Sequence, residues 1–388
     1  MLYICVLRLF LVTFLSIYAF SDDNMSVDEF LNYVNPPAIH RYQKEDGGII
    51  LCVRFQDQLT LRSQTSQNAH KVERRGFFKQ NGGGGAGNVS HSCPPGTFSL
   101  REVKKEDVLR VGGVEKYIKK PSPETIDILA EYENTRSHEY AVVEFTFDTP
   151  VIGTSAYNSV WKPHVAEDAH YSLSQVWVTE ENRLETIEAG WHVDPQRYGD
   201  DDPRFFVYWT ADRYLNTGCY NTYCSGFVVA NNFLINFGVP LKSTKLFDSS
   251  QYELPITIRL SEIDGEPAWL LEVYGTLVGY WPSSLFRFIS QSSSLIIYGG
   301  EVSYSAKKKG ESLSKTEMGS GRFPAEGWRS SAHIRQIQFF GTNSIKVDKY
   351  IMASNTNCYD IVVAQDYGFG GLYAFYGGPG GGSQNCRA

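Results

Sequence analysis

Four runs, YAVVEFTF (140–147), SLSQVWVT (172–179), TIEAGWHV (186–193) and RFFVYWTA (204–211), decide the fold class of this chain. Each is short, rich in β-branched and aromatic residues, and bounded by turn-forming residues, the signature of a strand. Similar runs follow: FVVANNFLINF (227–237), YELPITIRL (252–260), AWLLEVYGTLVGYW (268–281), SLIIYGGEVSY (294–304), IRQIQFF (334–340) and VDKYIMAS (347–354). So many strands, with no long helical pattern among them, predict an all-β domain, an antiparallel β-sandwich of jelly-roll type. All seven tryptophans lie between Trp161 and Trp328, which marks residues 133–388 as one unit of uniform texture.

Upstream the texture changes. Residues 22–132 hold mixed charge runs and no tryptophan, and read as a small mixed unit. VDEFLNYVNPPAIH (27–40) has near-helical apolar spacing up to its proline pair, and IILCVRFQDQLTL (49–61) reads as a strand. The glycine-rich stretch 76–92 is expected to form a flexible loop whose ends Cys52 and Cys93 staple, and the basic stretch 103–124 an exposed, protease-accessible junction.

The N-terminus carries an apolar run from Leu2 to Phe20, then Ala19 and Ser21 in a small-residue cleavage pattern, so residues 1–21 read as a signal peptide. Secretion is therefore expected, into the extracellular space, the apoplast or a vacuole, with no membrane attachment after cleavage. Sequons at Asn24 and Asn88 then become glycosylation sites. Cys5 leaves with the leader, and the remaining cysteines form an even set that can pair completely. The net charge of −7, with no concentrated basic patch, excludes a nucleic-acid binder.

SCPPGTFSLR (92–101), TIEAGWHV (186–193), TGCYNTYCSGFV (217–228), GGEV (299–302) and MGSGRFPAEG (318–327) together resemble the plant neprosin family of secreted glutamic peptidases. SCPPGTFSLR (92–101) is similar to a propeptide element of that family, with Ser99 in place of its usual proline. In the domain the resemblance rests on QVWV, TIEAGWHV, YWTAD, TGCYNTYCSGFV, VGYWPSSLF, GGEV, MGSGRFPAEG, NCYDI and YGGPGG, with Tyr298 where the family often has tryptophan. It implies a zymogen in which 22–132 is an activation propeptide inhibiting its own domain, a preference for cutting after proline, and disulfides Cys219–Cys224 and Cys358–Cys386. It further implies Glu188 and Glu301 as the catalytic pair.

The residues themselves support that pair. By strand alternation Glu188 shares its face with Gly190 and His192, and Glu301 shares its face with Gly299. A glycine within a strand permits close approach of another backbone, so Gly190 and Gly299 are expected to open a floor for a bound peptide, with His192 at its rim. An arbitrary strand glutamate is ordinarily a solvated surface acid, but both of these sit among apolar and aromatic neighbours. Two carboxylates at one site repel, so one ionises and one keeps its proton in mild acid. The first draws a proton from water while the second polarises the scissile carbonyl or protonates the leaving nitrogen.

No G-x-S-x-G elbow or H-E-x-x-H pattern is present, and the glycines near 380 lack a phosphate loop's lysine. No cofactor or metal is expected; the partners are a peptide or protein substrate and the chain's own propeptide, on a monomer. Alternative functions are a glycoside hydrolase with paired glutamates and a non-catalytic secreted or cell-wall binding protein.

Overall fold

The computed structural model describes residues 25–44, 47–62, 93–121, 136–231, 237–307, 314–341, 347–366, 368 and 370–381. The leader 1–21, the sequon asparagines Asn24 and Asn88, the loop 76–92 and Cys386 lie outside the described residues.

Three strands near the N-terminus, β1 (His40–Gln43), β2 (Ile49–Arg54) and β3 (Thr97–Arg101), form a small antiparallel sheet. A seven-stranded sheet takes the order β16 (Val347–Ala353), β4 (Arg136–Val151), β14 (Ser293–Lys307), β6 (Ala169–Thr179), β7 (Thr186–Val193), β8 (Arg204–Thr210), β9 (Cys219–Tyr220). An eight-stranded sheet takes the order β10 (Val228–Val229), β13 (Thr276–Pro282), β12 (Glu266–Val273), β11 (Glu253–Ile263), β5 (Gly153–Ser159), β15 (Ala332–Phe340), β18 (Gly371–Gly377), β17 (Asp360–Asp366). The fold is an all-β sandwich, as the strand runs predict. One run read as continuous, AWLLEVYGTLVGYW, is a hairpin: Tyr274 and Gly275 both take positive φ, 51° and 70°, the tight turn whose twist suits paired strands.

Strand β7 shows how sequence positions the site. All eight of its residues are buried, but its two faces do different things. Ile187, Ala189, Trp191 and Val193 point into the layer between the sheets, where Trp191 Nε1 donates to the Ser159 carbonyl of β5 at 2.9 Å. Tyr298 of β14 crosses the same layer, its hydroxyl 2.8 Å from Thr154 Oγ1. Rings of this size each remove roughly 150–250 Å² from water, on the order of 4–6 kcal/mol of transfer free energy, enough to support polar groups on the opposite face. That opposite face carries Thr186, Glu188, Gly190 and His192.

The N-terminal unit does not stand apart. Its helix Val27–Val34 starts at a capping box between Ser26 and Glu29, as the periodicity predicts. The run 49–61 departs from the expected single strand: β2 ends at Arg54, and a 3-10 turn (Phe55–Asp57) and the short helix Leu59–Arg62 follow. Side chains explain this. Gln58 exchanges two hydrogen bonds with the backbone of Val229, at 2.9 and 2.7 Å, and Thr60 Oγ1 donates to the Phe227 carbonyl at 2.8 Å, so this tail docks on the sandwich. Leu100 bridges to Phe237, and Arg197 donates to the Tyr117 carbonyl with its guanidinium 5.0 Å from the Tyr117 ring. The basic stretch expected to be exposed instead forms helices Lys105–Val111 and Val114–Ile118 and buries Tyr117, Ile118 and Lys120. Among the described residues no helix is long and apolar enough to cross a membrane.

Gly190 and Gly299 serve strand packing instead of an open floor. A Cβ on Gly190 would stand 2.0 Å from the Ser174 carbonyl oxygen and 2.7 Å from Gln175 Cα of the adjoining β6. A Cβ on Gly299, whose φ is +152°, would stand 2.2 Å from the Ala141 carbonyl oxygen of β4. Neighbouring backbone fills the space that the missing side chains leave. Gly190→Ala is therefore expected to push β6 and β7 apart and cost about 3 kcal/mol, read as a lower urea midpoint; an unchanged midpoint would contradict the packing.

Candidate active site

The register brings Glu188 and Glu301 together across one intervening strand. Glu188 on β7 lies opposite Trp177 of β6, and Glu301 on β14 lies opposite Leu173 of β6, so the acids sit diagonally on either side of β6 and on the same face. Both carboxylates reach a single nitrogen. Lys120 Nζ donates to Glu188 Oε2 at 2.9 Å and to Glu301 Oε2 at 2.8 Å, with all three side chains no more than 3% exposed. The ammonium also lies 5.4 Å from the Trp177 ring and 5.8 Å from the Tyr171 ring.

The other oxygen of each acid is held by the domain. Glu188 Oε1 accepts from Thr186 Oγ1 at 2.9 Å and from the Tyr214 hydroxyl at 2.5 Å. Glu301 Oε1 accepts from the Tyr171 hydroxyl at 2.8 Å and is hydrogen-bonded to His138 Nδ1 at 2.8 Å. Tyr214 takes a positive φ of 63° in a loop that Asp212 organises by accepting from the amides of Asn216 and Thr217. Orientation is thus fixed through Oε1, and Oε2 of each acid points at the shared position.

Electrostatics follow from this crowding. Burial alone would raise the Glu301 carboxyl, but the Lys120 ammonium and His138 overcome it and hold the group at about 2. Burial would lower Lys120, and the two carboxylates overcome that as well, keeping the ammonium charged. Burial and then the Glu301 charge push the Tyr171 phenol well up, as burial and Glu188 do for Tyr214, so both remain hydrogen-bond donors.

His192 does not sit at a rim. It is fully buried, stacked on Phe206 at 4.5 Å with Nε2 3.1 Å from the Tyr198 hydroxyl. Burial, reinforced by Arg197, Arg204 and Lys120, holds its imidazole well below the usual histidine range, so it is neutral in the folded chain. Gly190 and Gly299 lie on the acids' face but are closed by adjoining strands. Sequence reasoning missed Lys120, His138, Tyr171 and Tyr214, which arrive by long-range pairing or from loops. Thr186 was within reach, being two residues from Glu188 on one strand.

The disulfides Cys52–Cys93 and Cys219–Cys224 are both present, and Cys358 is disulfide-bonded. Among the described residues no three His, Cys, Asp or Glu side chains group as a metal would need.

Two solved structures are similar over 63% of this chain and 99% of their own. One is a crystal structure of scytalido-glutamic peptidase with a peptide-based transition state analog (10% identity, TM-score 0.31). The other is SCP-B, a member of the eqolisin family of peptidases, in complex with the tripeptide Ala-Ile-His (8% identity, TM-score 0.29). Residues 168–379, which include both glutamates and more than half of the chain, match the family model described as Neprosin. The chain belongs to the neprosin family.

Proposed function

We propose that this chain is the secreted precursor of an acid-acting glutamic endopeptidase that cuts after proline, with Glu188 and Glu301 as its catalytic pair and Lys120 of the N-terminal unit as the group that keeps it latent. The observation carrying this reading is the single ammonium nitrogen bound by both carboxylates. The proline preference rests on the sequence resemblance.

Latency has two physical parts. Lys120 Nζ occupies the position that both Oε2 atoms address, where a water donating to both acids would otherwise be activated. It also keeps Glu301 ionised, whereas peptide hydrolysis needs one ionised and one protonated acid. Once the N-terminal unit leaves, the two acids face each other without a cation, and repulsion raises the upper titration of the pair. The ionised partner then takes a proton from water, and the protonated partner delivers one to the leaving nitrogen.

Acid favours release. Glu301 is depressed from 4.5 to about 2, so its stabilisation of the docked unit is complete above 4.5 and is lost as pH falls towards about 2. The contribution is on the order of 3 kcal/mol, a large part of a typical domain stability. Purified precursor is expected to stay intact near pH 7 and, below about pH 4.5, to lose a fragment ending within the window of about Arg101 to Tyr140 and on the C-terminal side of Lys120, so that the latch leaves with it. A full-length chain that cleaves peptides without such loss would contradict latency.

Two sets of variants test the chemistry. Glu188→Gln and Glu301→Gln should each lower peptide cleavage at acid pH by about 1,000-fold, assayed on a mixed peptide library with proline-containing members; full activity in both sinks the pair. Lys120→Met leaves two buried acids without their cation. It should destabilise the precursor by about 3–5 kcal/mol at pH 7 and abolish the lag before peptide cleavage in acid. Wild-type stability together with a wild-type lag would exclude Lys120 as the latch.

A further inference from the structure

One polar side chain beside the glutamates has no part in the reading above. Gln175 lies on β6, two residues from Trp177, which pairs with Glu188, and two from Leu173, which pairs with Glu301. Strand alternation puts all of these on one face, with Gln175 midway along the diagonal between the acids. Tyr171 and Trp177, which bracket it on that face, both bring their rings within 6 Å of Lys120 Nζ. The residues directly opposite Gln175 are Gly190 on one side and Gly299 on the other, so no opposing side chain covers its amide laterally.

Gln175 is fully buried, and neither its Nε2 nor its Oε1 has a hydrogen-bond partner. A buried amide with no bond made costs roughly 1–3 kcal/mol, which leucine or methionine at this position would not incur. Most buried polar groups are satisfied, so an orphan next to a reaction centre points to a partner that arrives with the substrate.

We propose that Gln175 is a third catalytic residue, whose Nε2–H donates to the carbonyl oxygen of the scissile peptide as negative charge develops there. The inference rests on the peptidase reading. In the addition step the water oxygen bonds to the carbonyl carbon, the π pair moves onto the carbonyl oxygen facing Gln175, and the water proton passes to the ionised glutamate. In the collapse the oxygen pair re-forms the C=O bond and the C–N bond breaks with its pair on nitrogen, which takes the proton of the other glutamate. The products are an acid and an amine, and the two glutamates have exchanged their protonation states. A neutral amide suits this place: a second carboxylate would repel the oxyanion, and Lys120 is absent from the released site. It also leaves the protonated glutamate free for the leaving nitrogen.

The test compares wild type, Gln175→Met and Gln175→Glu in acid-released protein on one peptide substrate, with a peptide aldehyde, whose hydrate mimics the tetrahedral intermediate, as the binding probe. Methionine removes the orphaned amide at similar volume, so Tm should hold or rise while kcat falls about 100- to 1,000-fold. KM should stay within about threefold and aldehyde affinity should fall with kcat. Glutamate at this position donates only when protonated, so Gln175→Glu should keep activity at the acid end and move the alkaline limb of the pH profile down by about one unit or more. A folded methionine variant with wild-type kcat overturns the assignment, as does a glutamate variant with an unshifted profile; the latter decides the matter if the methionine variant does not fold. Wild type that cleaves no peptide removes the peptidase reading and this assignment together, whereas equal cleavage by wild type and Gln175→Met removes the assignment alone.

Discussion

The ammonium of Lys120 between Glu188 and Glu301 is the interaction on which the rest of the arrangement depends. Two carboxylates buried at one place repel strongly in a low-dielectric interior, and each loses the hydration that would stabilise its charge. The cation resolves both problems, but it comes from the N-terminal unit. The position of that unit and the ionisation of the site are thereby coupled. The contacts of Gln58, Thr60, Leu100 and Tyr117 with the sandwich fix where the unit sits, and Lys120 makes its position depend on the state of the acids.

The sandwich supplies rigidity. Glu188 and Glu301 stand on strands that flank β6 within the seven-stranded sheet, and the inner faces of β7 and β14 are pinned to β5 through Trp191 and Tyr298. Close approach at Gly190 brings β7 tightly against β6, the strand between the acids, and Gly299 does the same for β14 against β4. Tyr171, Tyr214, Thr186 and His138 then orient one oxygen of each acid, leaving its partner oxygen directed at the common position. A neutral His192, stacked on Phe206 and bonded to Tyr198, belongs to the supporting layer.

Strand runs and their alternation made the β-sandwich legible, because hydrophobic period and turn residues are local properties. The same alternation placed Glu188 with Gly190 and Glu301 with Gly299. It did not tell whether an adjoining strand or a ligand fills the space at a glycine, since that depends on how closely the strands approach. Register was equally hidden: nothing near Gln175 in sequence announces that it pairs with Gly190 and Gly299, or that His138 reaches Glu301. Lys120 was the least legible residue. It sits in a stretch whose charge reads as solvated surface, and its burial follows only from two acids that are 68 and 181 residues away.

The most direct measurement of the central claim is a titration of the Glu301 side-chain carboxyl, followed by carbon-13 NMR with Glu301→Gln for assignment, in the intact chain and in the domain freed of its N-terminal unit. With Lys120 in place Glu301 should titrate near 2, and in the freed domain it should move up by about one pH unit or more as the cation is lost and Glu188 repels it. The same titration in both forms would contradict the account.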